Sequence, residues 1–123
     1  MKLYCFDVDG TLLTEEMQNE GEYVKGIIPT EKLVELEDKG NRVVIVSPSP
    51  FLPKRYDHES TWIKDFGSND YRWANVKKAI QIHRCAIEDT VYVDDLEANR
   101  KQLEKLGVKS YSPQEFTKIH FNN

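Results

Sequence analysis

The chain has 123 residues, 39% of them hydrophobic and 31% charged. That length suits one domain over residues 1–123, with little left for a second core. The formal net charge of −4 argues against a protein that wraps nucleic acid through general phosphate contacts, and no run approaches the roughly 18 apolar residues of a membrane span. Along the chain, Leu3 to Phe6 comes first, an apolar run too short for a helix and ended by acids and a glycine. No signal-peptide pattern precedes it, and Cys5 and Cys85 form no disulfide framework, so a cytoplasmic protein with reduced thiols is expected. Glu15 to Gly26 is polar and reads as a loop or small hairpin. Thr30 is the expected N-cap of a helix with Leu33, Val34 and Leu36 on its apolar face, closed by Gly40. Val43 to Val46 is an unbroken β-branched run, as in a strand buried on both faces.

Pro48, Pro50 and Pro53 forbid a regular helix at the start of the next segment. Thr61 to Phe66 reads as a helix, and Ala74 to His83 as another with Val76, Ala79 and Ile80 inward. Val91 to Val93 is the third strand. Leu96 to Leu106 is a helix stopped by Gly107, Val108 to Tyr111 a last strand, and Ser112-Pro113 opens a terminal helix ending near Ile119. Strands joined by helices predict an α/β class, three-layer, Rossmann-like fold with a small parallel sheet. Chemistry in such sheets sits beyond the carboxyl ends of the strands. The residues found there are Asp7, Asp9, Gly10 and Thr11 after the first strand, Ser47 after the second, and Asp94 and Asp95 after the third.

Four carboxylates at one edge repel one another, and a hard divalent cation relieves that repulsion. Magnesium fits, because it takes oxygen ligands from one or two carboxylates and a substrate phosphate. Amides of the Gly10-Thr11 turn and the Ser47 hydroxyl would add neutral donors to a phosphoryl group, and one cationic side chain would complete the balance. A calcium loop of the EF-hand type is disfavoured, since its closing Glu position falls on Gln18. His58, His83 and His120 have no zinc spacing. The acids Glu15, Glu16, Glu20 and Glu22 read as a solvated loop.

Phe6-Asp7-Val8-Asp9-Gly10-Thr11-Leu12 resembles the first signature of the haloacid dehalogenase superfamily. Val43 to Ser47 resembles the second, and Val91-Tyr92-Val93-Asp94-Asp95 the fourth in its double-aspartate form, with Asn99 where many members carry a further acid. The resemblance implies a phosphatase in which Asp7 attacks phosphorus to form an aspartyl-phosphate. Asp9 would move the proton and bind the metal through its backbone carbonyl, Ser47 would hold a phosphate oxygen, and Asp95 would ligate Mg2+ with Asp94 beside it or one water away. The family's third signature, a Lys or Arg followed in its usual form by proline, is where the chain departs. Arg72 is the first candidate for that clamp, Lys77 the second, with Lys78 adjoining.

Neither about twenty residues after Asp9 nor about two dozen after Ser47 can hold a globular cap of roughly 50 residues. An open, capless site is therefore expected; by analogy with the family, open sites serve large, macromolecular phosphorylated substrates, or small ones covered by another subunit. The proline-rich loop with Phe51, Lys54, Arg55, Tyr56 and His58 would wall it. Two other readings stand beside this one. The stretch from Val93 to Phe116 is also similar to the phosphatase half of polynucleotide kinases, which would make a nucleic-acid end or nucleotide the substrate. A binding or regulatory module that kept the site without turnover is the other, and its mark would be that no cationic side chain reaches Asp7. The sequence sets no oligomeric state.

Overall fold

The computed structural model describes residues 1–14, 25–47, 53 and 71–121. Four strands, β1 (Leu3–Phe6), β4 (Arg42–Ile45), β5 (Thr90–Val93) and β6 (Lys109–Tyr111), form a parallel sheet in the order β4-β1-β5-β6. The register sets Phe6 beside Ile45 on one side and Val93 on the other. Strand alternation divides the buried residues between two faces. Tyr4, Phe6, Val43, Ile45, Val91 and Val93 pack with Leu33 and Leu36 of α1 (Thr30–Asp38) and Phe116 of α4 (Pro113–His120). Leu3, Cys5, Val44, Val46 and Tyr92 pack with Val76 and Ala79 of α2 (Tyr71–His83) and Leu103 of α3 (Glu97–Glu104). A sheet covered this way needs apolar residues on both faces, which is why β1 and β5 are buried at every position.

The α/β class and parallel sheet agree with the sequence reading; several boundaries do not. Helix α1 is preceded by Pro29 in extended conformation, with no side-chain cap, so Thr30 is its first residue and not the N-cap. Helix α2 begins at Tyr71, not Ala74, and so takes in Arg72. Helix α3 is shorter than expected: Leu96 is its N-cap and Leu106 lies past its end, both exposed. Gly40 and Gly107 have positive φ where α1 and α3 stop. Helix α4 has a full capping box, in which the Glu115 amide donates to Ser112 Oγ (3.2 Å) and the Ser112 amide donates to Glu115 Oε1 (3.3 Å).

A second small sheet was not legible in the sequence. Strand β2 (Leu12–Leu13) pairs in parallel with β3 (Ile28–Pro29). Gly26 allows the approach, since a β-carbon there would run into the backbone of Thr11 and Leu12. Most of the expected 15–26 loop, the Thr61 to Phe66 helix and the Phe51, Lys54, Arg55, Tyr56 and His58 wall lie outside the described residues. Among the described residues, no helix is long and apolar enough to cross a membrane.

The sheet order positions the site. From β1 the chain runs through α1 to β4 on one side, and from β5 through α3 to β6 on the other. The carboxyl ends of β1 and β5 therefore face a crevice where the connections diverge, the usual place for ligands in open parallel sheets.

Candidate active site

Asp7 follows β1 and stays in the ladder, its amide donating to the Val93 carbonyl at 2.9 Å. The chain then turns tightly, with the amides of Thr11 and Leu12 both donating to the Val8 carbonyl (3.0 and 2.9 Å). Gly10 sits in this turn at φ +79°, and any β-carbon there would fall on the Asp95 carboxylate. Two requirements thus coincide at Gly10: a left-handed backbone and room for a carboxylate. Thr11 is buried and its hydroxyl reaches Asp7 Oδ2 at 3.5 Å. Asp9 is exposed on the turn.

At the end of β5 the Asp94 amide donates to the Tyr111 carbonyl (3.1 Å). Asp94 Oδ1 accepts from the Leu96 amide (2.9 Å), an Asx turn that leads into α3. Its Oδ2 accepts from the Tyr92 hydroxyl (2.5 Å) and Asn99 Nδ2 (2.9 Å), and its carbonyl from Arg100 Nη1 (2.9 Å). Asp94 is fully buried. The sequence reading gave Tyr92 and Arg100 no part here. The period-2 rule offered a signal for the first, because Tyr92 and Asp94 share a strand face. The Arg100 bond runs from helix α3 back to a strand-end carbonyl, and no sequence pattern carries it.

Helix α2 delivers Arg72. Its Nη2 lies 3.7 Å from Asp7 Oδ1 and its Nε 3.4 Å from Asp94 Oδ2. The Arg72 side chain is 19% exposed and the two carboxylates 6% and 0%, so water screens these ion pairs little. The structure does not bring Lys77 to Asp7. Lys77 is exposed, its ammonium 4.8 Å above the Trp73 ring, because five residues along a helix turn the side chain about 140° from Arg72. Lys78 is half-buried on the same helix. Asn75, buried one turn beyond Arg72, is a further polar residue on α2 to which the sequence reading gave no role.

Asp7, Asp94 and Asp95 each offer an oxygen within 4.8 Å of the others. Asp9 contributes no side-chain oxygen to this cluster. Ser47 is buried one residue beyond the last β4–β1 ladder bond, from the Val46 amide to the Phe6 carbonyl (2.8 Å), and so lies at the same sheet edge. The crowding shows in the acidities. Burial, then the charge of Asp94, pushes Asp7 up to about 8; Arg72 pulls it down and Asp95 adds to the rise. Burial and Asp94 also raise Asp95. One guanidinium therefore does not offset three clustered carboxyls. The donor set is all oxygen, closely spaced and partly desolvated, which suits a hard divalent cation that would displace the retained proton. These three residues could hold a metal ion. Comparison with family models, with curated proteins and with solved structures found no match to this chain.

Proposed function

We propose that the chain is a magnesium-dependent phosphatase of the haloacid dehalogenase type, with Asp7 as nucleophile. The observation that carries this reading is the cluster of Asp7, Asp94 and Asp95, with the Arg72 guanidinium bridging Asp7 and Asp94, at the crevice of a parallel sheet. The resemblance of three segments to the family's signatures points the same way. A carboxylate nucleophile splits phosphoryl transfer into two displacements. Asp7 attacks phosphorus, the P–O bond to the leaving group breaks, and Asp9 protonates that oxygen. Asp9 then takes a proton from water as the water attacks phosphorus and releases Asp7. Its exposure on the turn lets it meet both leaving group and water. Arg72 orients Asp7 and balances charge on the phosphoryl oxygens, with Ser47 and the Gly10-Thr11 amides as neutral donors. Asp7 and Asp95, with the Asp9 carbonyl, would hold Mg2+, which when bound neutralises phosphoryl charge. The free thiols of Cys5 and Cys85 suit a reducing cytoplasm.

The binding-module reading expects no cation at Asp7, and the Arg72 guanidinium 3.7 Å from Asp7 favours the enzyme reading over it. The test is hydrolysis of a generic aryl phosphate with and without Mg2+, in wild type and Asp7→Asn. Magnesium-dependent turnover that vanishes in the variant supports the reading. Its absence for aryl, metabolite and nucleic-acid-end phosphates, together with failure of beryllium fluoride to bind, would sink it.

A further inference from the structure

The Asp94 carboxylate is gripped asymmetrically. The Leu96 amide donates to Oδ1, whereas the Tyr92 hydroxyl and Asn99 Nδ2 both donate to Oδ2, with Arg72 Nε paired to that oxygen by charge at 3.4 Å. A carboxylate oxygen has about two acceptor positions, so the Tyr92 hydroxyl and Asn99 amide fill those of Oδ2. Arg72 is shared between Asp94 and Asp7, so where Asp94 Oδ2 sits decides where the guanidinium meets the nucleophile. Of the two hydrogen bonds to Oδ2, that from Tyr92 is the shorter. Its ring is fully buried in the sheet, against α2 and α3. Strand geometry sets the direction of its hydroxyl, leaving little freedom for Asp94 to turn. Asn99 holds the same oxygen from α3.

We propose that Tyr92 is a positioning residue of this site: its hydroxyl, with Asn99, fixes Asp94 as the counter-ion that sets Arg72 against Asp7. Tyr92 acts through Asp94 and does not itself belong to the Asp7, Asp94 and Asp95 cluster. The role rests on the phosphatase reading for its consequence in catalysis, though the side-chain arrangement can be tested without turnover.

Tyr92→Phe removes one oxygen and keeps the packing. Aryl phosphate kinetics are compared for wild type, Tyr92→Phe and Asn99→Ala, each also in an Arg72→Ala background. The Arg72 Nε–H resonance is followed by NMR in the metal-free full chain. Expected is a fall in kcat of about tenfold to a hundredfold, the usual cost of losing a supporting bond, with KM within about threefold. In the Arg72→Ala background that loss should disappear, since Tyr92 then has nothing left to position. The Nε–H resonance should shift or broaden in Tyr92→Phe. Wild-type kcat and an unmoved resonance would overturn the proposal, as would an equal fold-loss in both backgrounds, the signature of a merely structural role. If Tyr92→Phe does not fold, Asn99→Ala decides on the same readouts. If wild type turns over no ester and binds no beryllium fluoride, the phosphatase reading fails by itself, and the resonance alone decides the positioning.

Discussion

Arg72 Nη2 stands 3.7 Å from Asp7 Oδ1, joining the first turn of α2 to the end of β1 across sixty-odd residues of chain. The contact singles out Arg72 among three basic candidates on one helix. Loss of a preorganised charge beside a phosphoryl group typically costs about 100- to 1,000-fold in kcat. Arg72→Ala should show that loss and Arg72→Lys a smaller one, because lysine keeps the charge without the planar fork that reaches two carboxylates. Lys77→Ala should stay within about twofold of wild type. Steady-state kinetics of the three variants checks this.

The acidity of Asp7 makes a prediction about stability. Its pKa in the folded protein is about 8, against an ordinary 3.8. A raised carboxyl adds stability where it is protonated, and that contribution is lost as pH rises from about 4 through about 8. In the presence of chelator, the difference in unfolding free energy between wild type and Asp7→Asn should therefore move against wild type over this range. Denaturant titrations at pH 5 and pH 8.5 measure it. A flat difference would mean that Asp7 is ionised throughout.

The same carboxyl couples metal binding to protons. With the Asp7 carboxyl pushed up to about 8, Mg2+ binding near neutral pH should release up to about one proton, and affinity should rise toward pH 8. Calorimetry in two buffers of different ionisation enthalpy counts the protons. Asp95→Asn should weaken binding by more than about tenfold, because it removes one of the three clustered carboxylates.

Gly10 couples the turn to the site. Gly10→Ala would strain a backbone at φ +79° and push the β-carbon onto the Asp95 carboxylate. A destabilisation of about 1–3 kcal/mol is expected, along with weaker Mg2+ binding. Thermal unfolding and calorimetry read the two effects separately.

Ser112 serves as the contrast. It caps α4 through a reciprocal pair of bonds with Glu115, at the end of β6, two strands from β1 in the sheet. Ser112→Ala should cost about 1 kcal/mol of stability and leave kcat and Mg2+ affinity unchanged. A large kinetic effect would show that α4 communicates with the site.

Much of this molecule was legible from local pattern. Leu3 to Phe6, Val43 to Val46 and Val91 to Val93 read as strands because a sheet covered on both faces needs unbroken apolar runs, and the acids behind them mark the carboxyl edge. Asp7, Ser47, Asp94 and Asp95 were named from strand order alone, and strand order brings them to one edge. Tertiary structure decided everything that depends on which side chain meets which. Arg72, Lys77 and Lys78 are indistinguishable by spacing; only the docking of α2 on the sheet turns Arg72 inward and leaves Lys77 over Trp73. Pairing of Leu12–Leu13 with Ile28–Pro29 needed a long-range approach over Gly26, and two-residue strands leave no periodicity to detect. The hold of Tyr92, Asn99 and Arg100 on Asp94 likewise arises where a strand end meets a helix start. Periodicity along the chain specifies which residues are buried, but a bond between elements depends on their relative placement, which only the packed core supplies.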